Sequence, residues 1–280
     1  MQSSDGANDP STKTSSHRIA LCVEYNGSRF HGWQAQSAGI ATVQGCLEGA
    51  LAKVADHAVS VICAGRTDAG VHATGQVVHF DTRVHRTEKS WVFGTNAHLP
   101  EQISVRWAKV VATDFHARFS ALSRRYFYLI FNSPVRSALF NRELTHEFRE
   151  LAETRMNKGA RFLIGEHDFA SFRAANCQSK TAMRNVFSVD VSRRDDLILI
   201  DIEANAFLHH MVRIIAGVLM DVGSGEREPD WVAELLAAKD RTLAGVTAPP
   251  NGLYLVEVKY AENLGLPCGP IGPHFLKSRC

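Results

Sequence analysis

The feature that narrows the fold most is an order of periodicities that occurs twice along the chain. Arg18 to Tyr25 sets Ile19, Leu21, Val23 and Tyr25 at every second position, the mark of a half-buried strand. Asn26-Gly27 then reads as a turn. Thr42 offers an N-cap to a helix in which Val43, Leu47, Leu51 and Val54 recur at three- and four-residue spacing. Short strands are expected at Val59 to Cys63 and Gln76 to Asp81, a helix over about Glu88 to Ala97, and a closing strand at Ile103 to Val111. The order is β-α-β-β-α-β.

The second half repeats it. Arg124 to Phe131 alternates and is rich in aromatics, and Leu151 to Leu163 has helical spacing. Asn185 to Ser192 and Leu197 to Ala204 are two strands joined through Arg193-Arg194-Asp195-Asp196. Phe207 to Val222 is a strongly apolar helix, Pro229 to Lys239 another, and Leu253 to Tyr260 a last strand. Two split β-α-β units in tandem imply an α+β fold of two ferredoxin-like halves, with mainly antiparallel sheets and helices on one face. The expected division is a polar, disordered leader over 1–16, an N-terminal half over 17–112, a C-terminal half over 113–262 and a tail over 263–280.

Composition removes several classes. A chain of 280 residues buries about three quarters of its unfolded surface and needs no staples to fold. Its six cysteines show no CxxC spacing, which suits a reducing cytosol. The longest wholly apolar run, Ile214 to Met220, is far short of the ~20 residues that span a bilayer. With 31 basic and 29 acidic residues, any basic surface must be local. P-loop, dinucleotide, GxSxG and HExxH patterns are absent from the sequence.

Three stretches are left to carry chemistry. Ala64 to Gly75, twelve residues with Gly65, Gly70 and Gly75, is longer than a hairpin needs and holds Arg66 and Asp68. Read blandly, Asp68 makes an Asx-turn and Arg66 is a surface charge. Lys109 to Arg136 carries five basic residues against Asp114, interleaved with aromatics, which suits phosphate contact beside base stacking. Read blandly, it is an edge strand with core aromatics and solvated arginines. The adjacent His209 and His210, if helical, project about 100° apart, and no third ligand stands near them at useful spacing, so no metal site is expected. Arg213 lies in an otherwise apolar helix and needs an anionic partner, for which Asp68 is the candidate.

These residues resemble a known family. AGRTDAGVHATGQVVHF, from Ala64 to Phe80, closely resembles the active-site motif of the TruA-type tRNA pseudouridine synthases. The resemblance continues through DFHARFSALSRRYFY, GEHDFASFR, CQSKTAMRNV, ANAFLHHMVR, LLAAKDRTLAGVTAP and GLYLVEV, and covers about Arg18 to Tyr260. It implies the pseudouridine synthase fold, with a central cleft between the halves, and conversion of uridine to pseudouridine at positions 38, 39 and 40 of the tRNA anticodon stem-loop. It implies Asp68 as the catalytic residue, Tyr126 as the contact to the flipped base and Arg66 as the group that helps displace it. Arg213 is then the partner of Asp68, and Leu253 packs the pocket. It further implies a cytoplasmic homodimer that needs no metal or organic cofactor.

The chemistry is consistent with those residue types. A stacked base must be flipped out and its place filled, by an arginine such as Arg66, while an aromatic ring such as Tyr126 receives it. A carboxylate can then attack or stabilise C1′, or add to C6 of the ring, and the residues leave both routes open. Two other readings are a non-catalytic binder of structured RNA with the same fold and a carboxylate-dependent hydrolase. The second lacks another catalytic carboxylate in any motif.

Overall fold

The computed structural model describes residues 16–37, 39–269 and 271–276. The leader expected over 1–16 lies outside the described residues except for Ser16. In chain order the strands and helices are β1 (His17–Tyr25), α1 (Val43–Ala55), β2 (Ile62–Cys63), β3 (His72–Thr82), α2 (Glu88–Asn96) and β4 (Ile103–Val111). They continue with β5 (Ser123–Asn132), β6 (Thr145–Glu147), α3 (Glu153–Ala160), β7 (Gly165–Asp168), β8 (Met183–Arg194), β9 (Leu197–Ala204), α4 (Met211–Gly223), α5 (Trp231–Ala238) and β10 (Leu253–Lys259).

The expected repeat is present in the pairing. The sheet runs β4-β1-β3-β10-β5-β9-β8-β7, with β2 on β3 and β6 on β5. Numbering the four main strands of each half in order, β4-β1-β3-β2 and β10-β5-β9-β8 both read 4-1-3-2, the antiparallel order of a split β-α-β pair. The halves share a single mixed sheet because β10 pairs with β3 in parallel, Tyr254 opposite His72 and Leu255 opposite Ala73.

Alternation explains the layers. Ile19, Leu21 and Val23 of β1, Tyr126, Tyr128 and Ile130 of β5, and Ile198, Ile200 and Ile202 of β9 join one core with the buried faces of the helices. Apolar nearly all round, α4 is buried from Met211 to Gly223 apart from Arg213 and Asp221. The opposite face of the sheet is covered as well. Ala20 and Val77 meet Phe115, Ala117, Tyr260, Leu264 and Leu266, while Phe127 and Leu129 meet Tyr254 and Leu276. Described residues of the tail therefore pack on the helix-free face.

Two element starts and the position of one strand differ from the expectation in ways that bear on the site. Strand β3 begins at His72, four residues before the expected Gln76, so the loop after β2 is Ala64 to Val71. Gly75 lies within the strand, where a Cβ would lie 2.2 Å from the Val256 carbonyl oxygen. The glycine is where β3 and β10 approach closely. The helix expected from Phe207 starts only at Met211, since His210 takes a left-handed conformation with φ 62°. Arg124 to Phe131 is a central strand, between β10 and β9, and not an edge.

His72 staples the seam. Its Nε2 faces the carbonyl oxygens of Arg142 at 3.0 Å and Asn251 at 3.2 Å, so this nitrogen carries the proton. Nδ1 then accepts from the Gly27 N–H at 3.1 Å, and the ring stacks on Tyr254 with centroids 4.6 Å apart. Burial, the largest influence, pushes its pKa below the usual histidine value. A histidine whose folded pKa is depressed stabilises the fold above the unfolded value of about 6.5 and loses that contribution as pH falls toward the folded value. Urea unfolding of the wild type is expected to show stability falling between pH 7 and pH 5. His72→Gln should be less stable at pH 7 and should show a shallower fall. An unchanged slope would contradict the assignment.

Candidate active site

Side chains of its own half hold the loop Ala64 to Val71 at Gly65 and Thr67. The Gln76 amide, fully buried, receives the Gly65 N–H at 3.3 Å and donates back to the Gly65 carbonyl. Thr67 bonds the Tyr25 hydroxyl through Oγ1 at 2.8 Å, and its carbonyl accepts from Trp33 N–H at 3.0 Å. The turn closes by Val71 N–H to the Asp68 carbonyl at 3.2 Å, and Gly70 takes φ +81°. The backbone makes this turn, which leaves the Asp68 side chain free to cross to the other half. The Asx-turn reading is therefore replaced.

There the carboxylate meets the residues around the start of α4. Oδ1 lies 3.1 Å from His209 Nε2. Oδ2 accepts from Arg213 Nη1 at 3.3 Å and lies 3.2 Å from His210 Nε2. Arg213 is fixed in turn by donating its Nε–H to the Ala248 carbonyl at 2.8 Å. The Asp68 side chain keeps 26% of its area open and Arg213 14%, so the pair is partly dried yet reachable. Burial, ahead of the raising effect of Asp68, depresses the His210 pKa.

The other expected residues are Tyr126, Arg66 and Leu253. Tyr126 is buried on β5, its hydroxyl 3.5 Å from where a Gly65 side chain would begin, and Phe207 meets its ring edge-on at 5.0 Å. Burial pushes its phenol pKa up. Arg66 is exposed. Leu253, nearly buried, opens β10 opposite Tyr128.

The metal argument from the sequence needs correction. With α4 starting at Met211, His209 and His210 do not diverge by 100°. Their ring centroids are 3.9 Å apart, and ligand atoms of Asp68, His209 and His210 lie within 4.8 Å of one another. A third candidate ligand is thus present, supplied by a loop about 140 residues earlier in the chain. Arg213 on Oδ2 places a fixed positive charge beside any cation there, and the imidazole nitrogens face the carboxylate as donors.

The basic, aromatic stretch also changes meaning. Arg124 is 9% exposed and donates to the carbonyls of Ala64 at 3.2 Å, Asn205 at 3.0 Å and Ala121 at 3.3 Å, and to that of Arg118. Arg125 pairs with Asp201, Nε to Oδ1 at 2.7 Å, and with Glu257 at 3.8 Å. Neither is a free phosphate ligand, and neither is a solvated surface charge. Arg124 ties the Asp68 loop, the 118–121 loop and the approach to α4 together. What it presents outward is Phe119, 76% exposed, with the Arg118 guanidinium 5.7 Å from its ring centre.

The match to a family model described as tRNA pseudouridine synthase covers residues 21–120 and 160–261. The chain belongs to that family. Curated relatives named tRNA pseudouridine synthase A agree over 92% of this chain. The protein of Coxiella burnetii (strain Dugway 5J108-111) is 55% identical over 99% of its own length. That of Histophilus somni (strain 129Pt) is 56% identical over 96%, and that of Vibrio parahaemolyticus serotype O3:K6 is 56% identical over 98%. The second matched block opens at α3 and closes after β10, so the family's pattern includes both walls of the Asp68 site.

Among the described residues, no helix is long and apolar enough to cross a membrane. His209 and the clamping role of Arg124 were not legible as site features. The paired histidines were visible in the sequence, but their geometry depends on a helix start that tertiary contacts set. Replacing the Arg124 guanidinium leaves buried carbonyls without a donor, so Arg124→Met should cost about 3 kcal/mol in denaturant unfolding. A loss below about 0.5 kcal/mol, within the range of ordinary surface changes, would show that the clamp is not structural.

Proposed function

We propose that the protein isomerises uridine to pseudouridine in tRNA, at positions 38, 39 and 40 of the anticodon stem-loop, with Asp68 as the catalytic carboxylate. The observation that carries this reading is the Asp68 carboxylate itself. It is held across the seam by Arg213 at 3.3 Å, near the buried Tyr126 and two residues after the exposed Arg66. Family membership and the names of the relatives support the same reaction.

In this reading the target base leaves its stack, Arg66 occupies the vacated space or holds a phosphate, and the base enters against Tyr126 and Leu253. Asp68 attacks or stabilises C1′, or adds to C6. The N1–C1′ bond breaks, the ring turns, and the C5–C1′ bond forms. The C5 proton then leaves and N1 gains one, so composition is unchanged. Arg213 holds the carboxylate, and Arg118 with Phe119 offers a cationic and aromatic edge to RNA near the loop. The working unit in this reading is a cytoplasmic homodimer without metal or organic cofactor. Its halves are 17–112 and 113–262, with tRNA bound over the central cleft.

Tritium placed at C5 of uridine in a tRNA transcript should be released by the wild type. Asp68→Ala should lower that release by at least about 10³-fold while still binding the transcript. Wild-type binding without release would favour the RNA-binding alternative. Undiminished release by Asp68→Ala would overturn the role given to this residue.

A further inference from the structure

Beyond the proposed set of site residues stands His209, whose surroundings are built as a relay. One segment grips it three times. Its carbonyl accepts from Ala174 N–H at 3.1 Å, its own N–H donates to Cys177 Sγ at 3.5 Å, and ring Nδ1 lies 2.8 Å from Asn176 Oδ1. The other ring nitrogen, Nε2, is 3.1 Å from Asp68 Oδ1. The imidazole therefore lies between an amide and a carboxylate in a line Asn176–His209–Asp68. A second polar residue orients it, as orienting partners do for functional histidines elsewhere.

The two carboxylate oxygens of Asp68 are not equivalent. Oδ2 faces both Arg213 Nη1 at 3.3 Å and His210 Nε2 at 3.2 Å. Oδ1 faces His209 Nε2. An ionised carboxylate oxygen has room for about two donors. Oδ2 is thus filled by groups of α4 and its lead-in, while Oδ1 retains a lone pair for substrate.

We infer that His209 is a positioning residue for the reaction: held by Asn176, it fixes the Asp68 carboxylate so that Oδ1 is the oxygen presented to the ribosyl or uracil carbon. His209 does not need to touch substrate. It sets the rotation of the carboxylate about its last bond and supplies the single donor to the reacting oxygen. This inference rests on the isomerase reading and deepens it.

The three grips make the test clean, because two of them use backbone atoms of His209 and survive loss of its ring. Steady-state tritium release from the C5-labelled transcript should show His209→Ala with kcat lowered about 10- to 100-fold, the worth of one hydrogen bond to a charged group. KM for the transcript should stay within about 2-fold, since the interaction serves the transition state and not uniform binding. His209→Gln, whose amide nitrogen can occupy the Nε2 position, should recover most of the loss. Asn176→Ala, which leaves the histidine in place but unoriented, should lower kcat by about 3- to 10-fold on the same reasoning. Three results would each overturn the inference: wild-type kcat in His209→Ala, a raised KM with unchanged kcat, or His209→Gln no better than His209→Ala. A wild type that releases no tritium overturns the isomerase reading and this inference with it. An active wild type beside an equally active His209→Ala overturns this inference alone.

Discussion

Parallel pairing of β3 with β10 is the constraint on which the rest of the molecule depends. Each half is an antiparallel unit that could close on itself, and each leaves one edge to be joined. The join requires two backbones to pass within van der Waals contact, which Gly75 permits beneath the Val256 carbonyl. Just before the join the chain turns through the Asp68 loop, and just before β10 it turns through Pro250–Gly252. The seam therefore brings a carboxylate from one half and a guanidinium from the other to the same place. That meeting is a consequence of how two repeats share a sheet. His72 adds a polar staple there, bonding Gly27 of the first half to Arg142 and Asn251 of the second.

Arginine has two separate uses around this seam. Arg124 and Arg213 are buried or nearly so, and each is satisfied by backbone carbonyls as much as by charge. They hold loops in register, and replacing either would orphan several acceptors at once. Arg66 and Arg118 project outward, where a phosphate chain can reach them. A near-neutral total hides this division, since Arg125, Arg149 and Arg193 are spent on carboxylates within the fold. The local positive count between Lys109 and Arg136 overstated what nucleic acid could meet, because its two central arginines, Arg124 and Arg125, are internal.

Much of the architecture was legible in the residues, and the exceptions have physical causes. Period-2 alternation located β1, β5 and β9, and in β9 the alternate face stays partly exposed. The pairing of Arg213 with Asp68 followed from a lone arginine in an apolar helix, because such a charge has few affordable partners. Gly75 read as a loop glycine and proved to lie within β3, at a point of close approach to β10. The start of α4 was misplaced because nothing local forbids a helix over Phe207 to His210. Instead Met211 N–H closes a turn onto the Leu208 carbonyl at 3.1 Å with His210 left-handed, and Ala174 and Cys177 bond the His209 backbone there. Strands β6 and β7, of three and four residues, are too short to carry a period. The five described cysteines are unpaired, as their spacing suggested.

The central claim is that a carboxylate assembled at the seam of a duplicated fold rearranges the base of a nucleoside within tRNA. The most direct measurement is to incubate an unmodified tRNA transcript with the purified protein, digest it, and map its nucleosides by position. The account predicts uridine replaced by pseudouridine in the anticodon stem-loop at positions 38 to 40, with no other nucleoside altered and total mass unchanged. A transcript that binds the protein and returns with every uridine intact would contradict it.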